Sequence, residues 1–435
     1  MSKIELIRDE LDGSVCRHIT HDTGLHIYVK EMPGFTSTHA LFATHYGSLN
    51  NCFRVRGEAE FSEVPEGIAH FLEHKLFENE DCDAFELYAQ TGADANAYTT
   101  FDHTAYLFDC TENVYDSLRI LLNTVQNPYF TKENVDKEMG IIEQEIRMGL
   151  DNVGSAEFYG LLGGLYHTHP VRIQIAGSVE SIHQIDADLL YRCYHAFYDL
   201  HNMALCIAGN VETEKVLAIC DELLRPGEDM QVEQRFADEP DTVAADRVDI
   251  IRPIKIPVFT LGFKLPPRPH GIEQRRAELC ARLLFETLFN NSAPVFNEML
   301  EEGLINYEFG SDGAMCGDGY LLVSVSGETE RPEAVRDRVF AEIRRAKAEG
   351  FDRDCFERVK RVSYGRIIRG LCIPEAEASS MMLAWMLGTT PGVSHRILEA
   401  LTYEDALAML RDEIDLDKTT LCVVHQEEAA HADDQ

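Results

Sequence analysis

Residues 65–77 read PEGIAHFLEHKLF. The apolar positions recur at helical spacing. Pro65 suits a first helical turn, and Glu63 and Glu66 favour the positive helix end, so the spacing predicts a helix beginning near Pro65. On such a helix His70 and His74, four residues apart, share one face, and both imidazoles can reach one metal ion. Glu73 lies three residues after His70, on nearly the same face. A carboxylate there reaches a metal-bound water without itself ligating the metal. Zinc lowers the pKa of such a water towards about 7, and the carboxylate can take its proton. His-x-x-Glu-His is one of the orders in which zinc peptidases arrange these groups.

A catalytic zinc needs a third protein ligand and one open position. The stretch 132–148 reads as a helix with Thr131 as its N-cap, and it contains EMGIIEQEI. Glu138 and Glu145 are two helical turns apart and share a face. Glu145 could complete the site, with Glu138 orienting a ligand or taking protons. Glu143 lies on the same helix, is a rival by sequence alone, and points away from that face. His103, His167, His169 and His195 have no convergent ligand spacing.

Outside these segments the chain reads as an α+β protein. Residues 24–30 (GLHIYVK) and 38–47 (THALFATHYG) alternate as strands do, and 96–110 (NAYTTFDHTAYLFDC) is strand-rich. Helices are expected at 84–90, 114–126, 186–197 and 213–224, with a strand at 203–209. Residues 225–246 combine Pro, Gly and dense acidic character with little apolar periodicity, which marks a linker. After it come strands at 258–265, 307–310, 320–325 and 419–424. Helices are expected at 273–290, 332–348 and 352–369, and from 375 onward. The order of elements repeats, which suggests duplication of one domain. The expected organisation is a first domain over 1–224 bearing the metal motif, an acidic linker over 225–246, and a similar domain over 247–435 without the motif.

The 435 residues carry 39 Lys plus Arg against 75 Asp plus Glu, a formal charge of −36. Such a surface is ill suited to gripping nucleic acid or an anionic membrane. The longest apolar runs, such as 381–387, fall far short of the ~20 residues that span a bilayer. The opening MSKIELIRDELDG is charged and mixed, and the 12 cysteines are scattered without a CxxC pair. Both point to a cytoplasmic chain with reduced thiols. The acidic tail EEAAHADDQ, residues 427–435, reads as loose.

Together these motifs resemble the pitrilysin/insulinase family of zinc peptidases, which includes the mitochondrial processing peptidases. The resemblance runs through Gly47 in YGS, EGIAHFLEHKLF, NAYTTFDHTAYLF, NPYFT and the Glu138/Glu145 pair. It is nearest to a half-length bacterial branch associated with 5-aminopentanol modification of elongation factor P, through IAHFLEHKLFE, VQNPYFT, HPVRIQIAGSVESI and APVFNEMLEEGLIN.

The resemblance implies two similar domains, each an antiparallel-rich sheet packed by helices, in a half-clamshell like that of the processing peptidases. It implies Zn2+ on His70, His74 and Glu145, Glu73 as general base and Glu138 beside them. It implies endopeptidase action on peptides or small unfolded substrates, docked as an added strand at Asn96, Ala97 and Tyr98. Active members carry an Arg and a Tyr seven residues apart in the second domain. Here Tyr307 is present, but Leu300 stands in the place of the Arg and cannot donate to an oxyanion. The implied partner is a related half-length chain lacking the zinc motif, or a second copy. The alternative is a non-catalytic or assembly partner of the same fold, associated with elongation factor P modification.

Overall fold

The computed structural model describes residues 3–80 and 83–427. Cys82 and the acidic tail beyond Glu427 lie outside them. The chain forms two compact units that are not consecutive in sequence. The first gathers Met1–Ile146, Ile173–Phe236 and Gly365–Val393; the second gathers Arg147–Arg172, Ala237–Tyr364 and Ser394–Gln435. Each is a sheet packed by helices, so the α+β expectation holds. Among the described residues no helix is long and apolar enough to cross a membrane.

The first unit is built on a seven-stranded sheet. Its spatial order is Lys3–Arg8, Val15–Thr20, His26–Glu31, Met203–Gly209, Thr38–Thr44, Thr104–Cys110 and Asp94–Thr99. Only His26–Glu31 and Met203–Gly209 run parallel; the other neighbours are antiparallel. Thr38–Thr44 and Met203–Gly209 are buried at every residue, because both faces of the sheet are covered. Helices including Ile68–Leu76, Val114–Gln126 and Ala187–Phe197 supply one core. On the other face Met381, Met382, Trp385 and Met386 of the helix Pro374–Met386 pack on Ala43, Ala105, Ala204 and Ala208.

The second unit has a five-stranded sheet in the order Arg247–Ile251, Thr419–His425, Val258–Lys264, Tyr320–Glu328 and Gly310–Gly317, again with one parallel pair, Arg247–Ile251 with Thr419–His425. The helix Val153–Leu165 packs on it. A Cβ at Gly160 would stand 2.6 Å from Ile250 Cδ1 and 2.8 Å from Cys422 Sγ, so glycine sets how closely helix and sheet approach. Residues 237–246 belong to this unit. The Glu239 carboxylate accepts from the backbone N–H groups of His167, Thr168 and His169 at 2.8–3.0 Å and from Lys264 Nζ at 2.6 Å.

Two local expectations are corrected. The motif helix begins at Ile68, not near Pro65. Gly67 precedes it at φ 87°, a left-handed conformation that interrupts helical geometry. That conformation is required by a close crossing. A Cβ on Gly67 would drive into Ala176 O, and one on Gly177 (φ 75°) would stand 2.5 Å from Glu66 O. Ser181 Oγ also donates to Glu66 O at 2.9 Å. The second correction concerns 307–310, which is not a strand. Asn306 Oδ1 accepts from Glu308 N and its amide donates to Glu328, forming a turn, and the strand is Gly310–Gly317. The glycine-rich helix Val153–Leu165 was not expected.

Candidate metal centre

The helix Ile68–Leu76 is short and its motif side chains are mostly withdrawn from solvent. His70 and Glu73 are buried and His74 is partly so. The helix Lys132–Asp151 runs beside it. Its start is tied by Thr131 and Asn134, each bonding the other's backbone N–H. Its buried stripe Val135, Met139, Ile142 and Ile146 fixes its rotation. That rotation presents Glu138 and Glu145 to the two histidines.

His70, His74 and Glu145 each offer one donor atom, all within 4.8 Å of one another. His70 Nε2 lies 3.6 Å from Glu145 Oε1, and His74 Nε2 lies 3.5 Å from Glu145 Oε2. Tetrahedral zinc with ligands at 2.0–2.2 Å would space its donors by about 3.4 Å. Two imidazoles and one carboxylate, with a fourth position left over, is a catalytic donor set. His74 Nδ1 donates to Glu138 Oε1 at 3.0 Å, which leaves Nε2 as the free lone pair. His70 Nδ1 is buried and has no hydrogen-bond partner among the described residues. Among the described residues this is the group of three such side chains drawn together tightly enough to hold an ion. The residues fit the metal.

The electrostatics follow from the geometry. Burial opposes charging of His74, but its bond to Glu138 and the charges of Glu73, Glu145 and Glu138 outweigh burial and raise its pKa. Burial likewise opposes ionisation of Glu138 and is outweighed by His74, so its carboxyl titrates below the usual range. Glu145 is held low by its interaction with His70, against its partial burial.

Glu73 lines a cavity of about 640 Å3 with His74, Glu138, Asn96 and Ala97; Phe77, Phe85 and Ile141 form its apolar side. Phe77 and Phe85 stack at 4.5 Å. The strand Asp94–Thr99 forms the sheet edge here, with no strand beyond it among the described residues. Asn96 and Ala97 face the cavity. Tyr98 does not. Its ring packs with the opposite core, and its hydroxyl lies 3.9 Å from Met382 Sδ. Tyr307 belongs to the second unit, where it is 77% exposed and 6.2 Å from the Phe296 ring. Leu300 is the penultimate residue of the helix Pro294–Glu301, also in the second unit. Glu143 turns to His183, at 3.5 Å, and does not enter the cluster.

The other histidines are engaged elsewhere. His103 bonds Thr100 and Asp102, His167 bonds Thr242, His169 bonds Asp318 O, and His195 stacks on Tyr191. One group that sequence reading missed is Thr99, whose hydroxyl lies 2.6 Å from Glu73 Oε2. Its only prior signal was its place in the run NAYTT.

Comparison with known proteins gives the same reading. A family described as Insulinase (Peptidase family M16) matches residues 59–169, which hold the whole donor set, and the Peptidase M16 inactive domain matches 184–363. The chain is 37% identical over 411 residues to the uncharacterized zinc protease YmfH of Bacillus subtilis (strain 168), covering 94% of this chain and 96% of that one. The structure resembles a putative M16-like peptidase from Alicyclobacillus acidocaldarius, with a TM-score of 0.90 and 30% identity over 98% of this chain and 99% of that one. A protease from Helicobacter pylori shares the fold at a TM-score of 0.80 and 16% identity, over 98% and 99% of the two chains. With a metal-ready His70/His74/Glu145 cluster on an M16 scaffold, this chain belongs to the insulinase family, peptidase family M16.

Proposed function

We propose that the chain is the metal-bearing subunit of a zinc-dependent endopeptidase acting on peptides or small unfolded substrates. The carrying observation is the convergence of His70, His74 and Glu145 beside a buried carboxylate, Glu73, that faces a cavity. Zinc bound there would supply Lewis-acid chemistry, acidifying a water and polarising a carbonyl. In this reading Glu73 takes a proton from the attacking water and delivers it to the leaving amine. Glu138 holds the His74 ring through Nδ1. The open edge of Asp94–Thr99 takes the substrate backbone as an added strand at Asn96, Ala97 and Tyr98, and Tyr307 keeps the substrate-binding role that the family resemblance assigns to it. The test is peptide cleavage by the chain with whatever co-purifies, followed by mass spectrometry. Cleavage lost in Glu73→Gln with zinc retained supports the reading; cleavage retained in that variant overturns it.

Leu300 favours a refinement. A leucine gives a developing oxyanion no donor, so a related half-length chain or a second copy would supply the missing group. The same residue is the argument for a non-catalytic or assembly role, including one in modification of elongation factor P. A deletion strain with normally modified factor would remove that role. The cysteines among the described residues are all free, which supports a reducing, cytoplasmic setting.

A further inference from the structure

A general base is useful only if its carboxylate is held at one angle. Glu73 is held at one oxygen. Thr99 Oγ1 lies 2.6 Å from Glu73 Oε2, in the range of a charge-assisted O–H···O bond. Counting protons fixes its direction. Thr104 Oγ1 donates its single proton to Tyr46 O at 2.8 Å, so at the 3.3 Å Thr99–Thr104 contact Thr104 can offer only a lone pair. The short contact runs from the Thr99 hydroxyl to a carboxylate oxygen, which accepts. The Thr99 proton therefore goes to Glu73. Thr104 is itself fully buried and pairs with Thr99 across the hairpin, so the donor is backed by a fixed neighbour. No described residue bonds Glu73 Oε1, which leaves that oxygen for the reacting water.

Thr99 is also the last residue of the edge strand Asp94–Thr99. The element proposed to seat the peptide is thus the element that grips the base. We infer that Thr99 is a positioning residue for Glu73, setting the angle of the proton-accepting oxygen and tying it to the docking strand. This rests on the peptidase reading above.

The test uses the full chain with its co-purifying partner, a fluorogenic peptide, and the variants Thr99→Val, Thr99→Ser and Glu73→Gln. Valine keeps the shape and removes the hydroxyl; serine keeps the hydroxyl. Thr99→Val is expected to lower kcat by about 10- to 100-fold, the scale of a misplaced reacting group, with KM and zinc stoichiometry unchanged. Thr99→Ser should recover most of the rate. In metal-free protein the melting temperatures of Thr99→Val, Glu73→Ala and the double variant should be non-additive, because either change breaks the same contact. Wild-type kcat in Thr99→Val overturns the inference. So do equal losses in the valine and serine variants, or loss of zinc or peptide binding along with rate, since both describe a packing role. If Glu73→Gln cleaves as well as wild type, the peptidase reading falls and the catalytic role of Thr99 with it. A wild-type-like Thr99→Val beside a dead Glu73→Gln sinks this inference alone.

Discussion

Two withdrawn carboxylates, one in each unit, are treated in opposite ways. In the second unit Glu239 is saturated. It accepts three peptide N–H groups and the Lys264 ammonium, and Lys264 is further held by Pro240 O and Thr242 O. In the first unit Glu73 accepts one hydroxyl, at one oxygen, and faces a cavity beside two histidines. Burying a charge is tolerable when its lone pairs are filled, and Glu239 meets that condition as a structural anchor. A buried carboxylate left partly unfilled costs stability and keeps chemical capacity, which is how reactive sites differ from structural ones.

The comparison breaks first at Glu73. Glu73→Gln should lower cleavage by about 10³- to 10⁴-fold while the melting temperature and zinc content stay near wild type. A large loss of stability in that variant would make Glu73 a structural group like its counterpart. Glu239→Ala should behave in the opposite way. It strands Lys264, so unfolding by urea should show a loss of about 3 kcal/mol, with specific activity of the folded fraction unchanged.

A pH titration sharpens the same contrast. Burial opposes the charge on Glu239, but the Lys264 bond and the three peptide N–H groups win and bring its pKa from 4.5 to about 2. A depressed carboxyl stabilises the fold above its unfolded pKa. That contribution is complete above pH ~4.5 and fades as pH falls towards 2. Glu239→Gln should flatten that part of the stability curve.

A smaller effect is expected at Glu138. Glu138→Gln keeps the shape beside His74 Nδ1 and removes the charge, so zinc affinity by competition with a chelator should fall about 10- to 100-fold. Smallest is Phe85→Ala, which opens the apolar side of the cavity. It should raise KM for peptides carrying an aromatic side chain beside the scissile bond by less than about tenfold.

How far the sequence carries depends on how local each arrangement is. His70, Glu73 and His74 are legible because a helix turns their spacing directly into a shared face. Glu145 is legible as a face-mate of Glu138, and only the packed stripe of Lys132–Asp151 turns that face toward the histidines. Period-two alternation finds the strand at Asn96, Ala97 and Tyr98, yet alternation also sends the Tyr98 ring to the far side of the sheet. Thr99 is illegible in principle, because its meaning is a contact to Glu73, 26 residues away in the chain. The helix Val153–Leu165 escapes for another reason. Its glycines score as breakers, and they serve an approach to the sheet that no local pattern records.

Gly67 and Gly177 stand 110 positions apart and close on each other's neighbours, Gly67 against Ala176 and Gly177 against Glu66. The stretches EGIAHFLEHKLF and IQIAGSVESI are therefore two jaws of a single clasp. A side chain at either glycine would strike the backbone beside the other, so losing either one opens the same clasp. In a library of all single substitutions these two columns should be equally blank, although only one of them touches the helix that bears the histidines.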